Sequence, residues 1–407
     1  MRLFCLVPAL LHPALALTND SWLYRKAAQD LAHGTYSTIF RTPGYPVFLL
    51  LTGGGLGHGI GFSLLAQAVL DGVTACLLAQ IAGRIFRSQH AARAAGLAWA
   101  LCPVAIAISA EIMAESVFAF CLVSALALLV LWRSPLSPWA QGALLAAATL
   151  TRPAGALLPL LIWPLCALGS APEDLRVPPR NVAATLGLYL AVGLAFLSWN
   201  HARTGRYLLS TVSDLNVAMY EWPAVRVTET VGWKHYVVGE LFKPKPLEER
   251  RVEIETHFIH EVQPGTTQVT LWDDIENPTR MASWKNAAAA RLASHRGATL
   301  AIHAIGALQI LRPYPPTKRG GVVLTFLDTL HLLAGLAALA VVARARIRNA
   351  GWYALVLGLW SAYVLLLPGY VGLWRLRDPL EPAICLLIGL GYALWKSETG
   401  PKLEAAA

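Results

Sequence analysis

The sequence predicts an all-α polytopic membrane protein, a helical bundle that carries one water-facing insert. Composition is the first observation: 56% of the 407 residues are hydrophobic and only 14% are charged, where a soluble domain has about 25% charged residues. The second is a mean hydropathy of +0.51. The third is a series of apolar runs without charge. Backbone in lipid must satisfy its own hydrogen bonds, which helices do, and these runs are too long for barrel strands.

Ten apolar segments can be drawn in order: 3–17, 62–86, 94–110, 113–132, 139–150, 153–169, 182–199, 322–343, 350–368 and 378–395. A span needs about 20 residues, so the first and fifth are short. Segments 1–199 then form an N-terminal bundle with an outward loop at 18–61. Residues 200–321 form an outward insert, 322–395 a second set of membrane helices, and 396–407 a tail. Residues 2–17 also fit a leader peptide, with a basic start and Ala14-Leu15-Ala16 as a cleavage site; a retained first span suits the rest of the pattern better.

The net charge is +9, yet no nucleic-acid-binding motif accompanies it. Its basic residues collect in short loops: Arg84, Arg87 and Arg93; Arg133; Arg176 and Arg180; Arg344, Arg346 and Arg348; Lys396 and Lys402. With ten spans all of these fall on one side, which the positive-inside rule makes cytoplasmic. Segment 299–311 is apolar but short. Were it to cross, the 344–348 cluster would land outside, so an interfacial helix is expected there. The six cysteines lie in apolar segments without a CxxC pair and read as small buried hydrophobes.

Within the insert, Pro246–Gln263 alternates charged and apolar positions as a solvated helix does. Asn277-Pro278 marks a turn, and Met281–Ala293 predicts a second helix. Four tryptophans (Trp222, Trp233, Trp272, Trp284) fit either a small core or a partner surface. His257 and His260 with Glu261 do not make an HExxH motif.

The unusual charges gather on the outward side. Asp20 follows the first span and begins a helical stretch with Tyr24, Ala27, Ala28 and Leu31 on one face. It can be an N-cap or a reactive carboxylate. The loop closes on Arg41-Thr-Pro-Gly-Tyr45-Pro, a tight turn at the membrane surface. There Arg41 and Tyr45 serve either as interfacial anchors or as contacts to a lipid phosphate, which the planar arginine fork suits. Glu111 and Glu115, four apart, are expected on one helix face at the next outward turn. A carboxylate at that depth wants a role or a partner such as Arg152. Before the last span, Arg375 and Arg377 face outward against the charge trend. Such arginines want a negative partner, either a phospholipid headgroup or a substrate phosphate.

Taken in order, Asp20 with Tyr24 and Ala28, RTPGYP at 41–46, the stretch Pro103–Glu115, Arg152-Pro153 and RxRxPxEP at 375–382 resemble the GT-C glycosyltransferases that use polyprenyl-phosphate sugars. The similarity is to the bacterial branch related to protein O-mannosyltransferases and the aminoarabinose transferases of lipid A. It covers roughly residues 1–200 and 320–395 and leaves the insert unmatched. The resemblance implies a GT-C-type bundle in a bacterial inner membrane, with its active site facing the periplasm or exterior. It implies inverting transfer of a hexose or pentose from a polyprenyl-phosphate donor to an acceptor hydroxyl on a glycan, lipid or protein. Asp20 matches the position of the general base. Arg41, Tyr45, Arg152, Arg375 and Arg377 are candidates for holding the donor phosphate, Glu111 and Glu115 form an acidic second site, and Tyr24 supports the loop. Some relatives use a divalent metal; no dense carboxylate cluster in this sequence calls for one. A transporter or flippase of a lipid-linked substrate is the alternative, although no internal repeat supports it. A membrane scaffold is a third reading, carried by the tryptophans of the insert.

Overall fold

The computed structural model describes residues 2–56, 59–232, 274–315, 321–345, 350–366 and 374–399, with Lys234, Glu253 and His257 besides. Among the described residues every regular element is helical. The N-terminal part runs α1 (Arg2–Leu11), α2 (Asn19–Ala32), α3 (Gly44–Leu51), α4 (Ile60–Ile85), α5 (Gln89–Ala100), α6 (Pro103–Ser109), α7 (Glu115–Leu131), α8 (Ser137–Thr151), α9 (Leu158–Ile162) and α10 (Pro179–Thr204). The insert contributes α11 (Val212–Asn216), α12 (Trp222–Val231), α13 (Pro278–Ser294) and α14 (Arg296–Ile310). Three helices close the chain: α15 (Gly321–Arg344), α16 (Ala350–Leu366) and α17 (Glu381–Thr399), the last entered through a 3-10 turn at Trp374–Leu380.

All ten apolar segments are helical, but they are not ten full spans. Among the described residues, only α4, α10 and α15 are long and apolar enough to cross a membrane singly, at 26, 26 and 24 residues. The pair α5 and α6 makes a fourth if counted together, bent by 45°. Pro103 opens α6 and is the cause of the bend, since proline lacks the N–H that would continue the α5 ladder. Segment 153–169 is divided for the same reason. Pro153, Pro159 and Pro164 split it into a 3-10 turn, the short α9 and a second 3-10 turn. At 17 residues, α7 spans about 25 Å, short of a hydrocarbon core of about 30 Å.

Three of the basic loops, those of Arg87, Arg133 and Arg176, meet at one end of the bundle. Arg84, in the last turn of α4, and Arg87, just after it, lie 3.6 and 3.4 Å from Asp174. Arg133, after α7, donates to the carbonyls of Glu173 and Asp174. The other end of α7 begins at Glu115, where Ile112 N–H donates to the Ala16 carbonyl and Ser21 donates to the Ile112 carbonyl. The segment around Asp20 is thereby stitched to the end of the bundle remote from the arginine loops.

The insert has its own core. Trp222, Val225, Met281, Trp284, Ala288, Ile302 and Ile305 are buried together, with Phe40 of the first loop among them. The expected helix at 281–293 is α13, capped by Asn277, whose side chain accepts from the Arg280 N–H. The 299–311 segment is α14, packed on α12 and on α16 rather than standing as a lone span. Trp222 and Trp284 thus form core, while Trp233, Trp272 and most of Pro246–Gln263, His260 included, lie outside the described residues. The helix entering the insert continues to Thr204 and is stopped by Gly205 at φ 71°, a left-handed cap that glycine adopts without steric cost. All six cysteines are unbridged; four are buried as expected, while Cys5 is half-buried and Cys76 exposed.

Candidate functional site

Thr18 caps α2: its hydroxyl accepts from the Ser21 N–H while the Ser21 side chain returns to the Thr18 N–H. Asp20 is therefore the second residue of the helix and not its cap, because a capping box at 18 and 21 already serves those amides. Its carboxylate instead reaches across to Arg41, 2.5 Å from the guanidinium. Both side chains are partly open, Asp20 at 22% and Arg41 at 13%.

Arg41 is fixed from several directions. It donates to the Tyr24 hydroxyl at 3.4 Å. Its guanidinium lies 4.6 Å from the ring centres of both Tyr24 and Phe40, a cation–π contact with each. Its Nε–H is buried and has no hydrogen-bond acceptor among the described residues. Burial raises the Tyr24 phenol above its ordinary range, and Arg41 partly counters this; Glu115 and Arg152 also act on it, so the next charged group lies close by.

That next group is Glu115 with Arg152, 3.4 Å apart, and Asp378, 3.9 Å from the same arginine. Asp71 accepts from Ser116 beside them. Glu115 pairs as the simplest reading of its depth requires. The expectation of Glu111 and Glu115 on one helix face fails. Helix α6 ends at Ser109 and α7 begins at Glu115, so Glu111 sits in the intervening turn. There its carbonyl accepts from Gln67.

Two further sequence readings are corrected. Tyr45 is not at a lipid-facing surface. It is fully buried, and its hydroxyl donates to Gln67 at 2.5 Å while its ring packs edge-on to Tyr24. The backbone of the same motif explains this: at Gly44 the chain passes so near α8 that a Cβ would stand 2.6 Å from Leu150 and Thr151. Arg377 is not an outward phosphate ligand either. It is completely buried, with Asp328 at 2.5 Å, Glu381 bonded to its Nε and the Arg312 carbonyl at 3.1 Å. Those bonds engage all three of its nitrogens, and none of the side chain is exposed. The Arg375 side chain lies outside the described residues.

Sequence reasoning missed the partners in this second network. His331 bonds Glu381 at 2.9 Å, and Cys102 stands beside them, so that Cys102, His331 and Glu381 bring one donor atom each within 4.8 Å of one another. Such donors suit zinc, yet His331 and Glu381 satisfy each other and Arg377 holds the remaining Glu381 oxygen. The signal was present, since Asp328 and His331 interrupt an apolar helix and ionisable residues in such helices ask for partners.

Fold and site together define a class: a multi-pass helical membrane protein with a partly open acid–arginine pair at the end of the bundle remote from its basic loops. No family model matches the chain, and no curated protein matches it. Two solved structures are similar to it. One is ArnT from Cupriavidus metallidurans in the apo state, 15% identical, covering 92% of this chain and 72% of that one with a TM-score of 0.36. The other is the same protein bound to undecaprenyl phosphate, 16% identical, covering 91% and 72% with a TM-score of 0.37. The roles of residues in this chain rest on its own geometry.

Proposed function

We propose that this chain is an inverting membrane glycosyltransferase that moves a sugar from a polyprenyl-phosphate donor to an acceptor hydroxyl at the end of the bundle bearing Asp20. The observation that carries the reading is the Asp20–Arg41 pair. It is more open than the buried networks behind it, and its arginine has a buried Nε–H with no acceptor among the described residues. A buried donor left without a partner costs about 1–3 kcal/mol, and a phosphate oxygen would relieve that cost.

In this reading Asp20 takes the proton from the acceptor hydroxyl. The oxygen attacks the anomeric carbon from the face opposite the phosphate, the bond to the phosphate oxygen breaks, and polyprenyl phosphate departs as an anion. Phosphate is a good leaving group, so no general acid is required. Arg41 can hold Asp20 through one nitrogen and the departing phosphate through another, which suits a planar fork. The buried ring of Tyr24 supports both. The apolar helices below would receive the prenyl tail, and the positive-inside rule would put this end of the bundle outside the cytoplasm.

The test is transfer by purified protein in lipid nanodiscs, supplied with a panel of undecaprenyl-phosphate sugars and hydroxyl acceptors. Asp20→Asn should lower turnover about 100- to 10,000-fold with folding intact. Near-normal turnover in the folded variant would remove the base from the mechanism. A transporter reading has one observation behind it, the ionisable network of Arg377, Asp328, Glu381 and His331 within the bundle. It expects movement of lipid-linked substrate that survives Asp20→Asn.

A further inference from the structure

The loop that carries Arg41 is held less by its own end of the bundle than by the insert. Glu276, just before α13, accepts from the Thr38 hydroxyl at 2.5 Å and from the Ile39 N–H at 2.7 Å, one carboxylate oxygen for each. Ser210 donates to the Phe40 carbonyl at 2.5 Å, and the Thr211 N–H donates to the Ile39 carbonyl at 3.1 Å. Arg203 donates to the Ser37 carbonyl. Four consecutive residues before Arg41, 37 to 40, are thus bonded by the insert. The side chain of the last of them, Phe40, is buried in the core of the insert.

This matters because Arg41 rests on Phe40. The guanidinium lies against that ring, and the backbone N–H of Arg41 donates to the same Thr38 hydroxyl that Glu276 grips. Tyr36 adds a brace from the loop itself, donating to the Arg41 carbonyl and stacking on Trp199 at 5.8 Å. Moving Glu276 would move Thr38, Phe40 and the arginine that orients Asp20.

We propose that Glu276 is a positioning residue: through Thr38, Ile39 and Phe40 the insert sets the geometry of the Asp20–Arg41 pair, and therefore how that pair meets a lipid phosphate. The proposal rests on the transferase reading for what the pair binds, but not for the clasp itself. It also gives the insert a role in the site. A change of conformation in the insert would reach Asp20 by a path of five residues.

Two measurements on the full-length protein in nanodiscs test it. Binding of undecaprenyl phosphate is measured for wild type, Glu276→Ala, Glu276→Gln, Arg41→Ala and the Glu276→Ala/Arg41→Ala double variant. Hydrogen exchange is followed across residues 36–43 in the same proteins. Glu276→Ala should weaken binding roughly tenfold and speed exchange in 36–43 while leaving the rest of the chain protected. Glu276→Gln keeps an acceptor for the Ile39 N–H and should recover most of the loss. In the double variant the Glu276 change should add little, because its effect runs through Arg41. Additive losses, or altered exchange with unaltered binding, would overturn the proposal, as would uniform loss of protection over the whole chain. If the wild type binds no lipid phosphate, the transferase reading fails and exchange alone decides: faster exchange confined to 36–43 in Glu276→Ala upholds the clasp, and unchanged exchange refutes it.

Discussion

Arg377→Met is the most demanding test of how the bundle is held together. The arginine is fully buried and joins three parts of the chain: Asp328 on α15, Glu381 at the start of α17 and the Arg312 carbonyl ahead of α15. Methionine fills similar space but leaves two buried carboxylates without their cation. Among the described residues, Asp328 keeps the Tyr314 N–H at 2.7 Å and Glu381 keeps His331 at 2.9 Å. Removing one partner from a buried ionic network costs about 3–5 kcal/mol, because the remaining charge stays desolvated. A chain of this length has an unfolding entropy on the order of 0.9 kcal/mol per kelvin, so the midpoint should fall by about 4–6 °C. The assay is thermal unfolding of purified protein followed by size-exclusion recovery. Adding Asp328→Asn, which removes one stranded charge and still accepts from Tyr314, should restore more than half of the loss. A midpoint within about 1 °C of wild type for Arg377→Met alone, against that expected cost, would refute the view that this network is a structural tie.

Other outcomes follow from single contacts. Gly44→Ala should destabilise by about 1–3 kcal/mol through overpacking against α8, read as a lower unfolding midpoint; Ala at Gly187, which faces open space, is the control. Tyr45→Phe should cost about 1–2 kcal/mol by leaving Gln67 short of a donor while leaving lipid-phosphate binding unchanged, and weakened binding would reinstate Tyr45 as a ligand. In the insert, burial raises the Glu221 carboxyl above its ordinary range, and His303 at 3.8 Å partly opposes this. A carboxyl with a raised folded pKa favours the fold while protonated and loses that contribution as pH rises through the raised value. Glu221→Gln should therefore gain stability relative to wild type as pH climbs from the usual carboxylate range towards neutrality, and pH-dependent unfolding curves that stay parallel would contradict the assignment.

The sequence by itself determined the fold class and the positions of the helices, because these depend on local properties. Apolar length, proline breaks and caps are read along the chain, and every one of the ten apolar runs carries helix, though prolines break those at 94–110 and 153–169. It also marked Asp20 and Arg41 as unusual, since charges at the ends of apolar runs are conspicuous. What it could not determine was which charges neutralise which. Arg41, Arg152 and Arg377 look alike in sequence, each an arginine at the end of an apolar run. Tertiary packing makes Arg377 a buried tie to Asp328, 49 residues away, makes Arg152 the partner of Glu115, and leaves Arg41 partly open beside Asp20. Glu276 shows the same limit most sharply. It is an ordinary glutamate before an Asn-Pro turn, and only a contact across 238 residues brings it to the loop of Arg41. Pairing energy depends on distance and burial in space, and neither is a property of position along the chain.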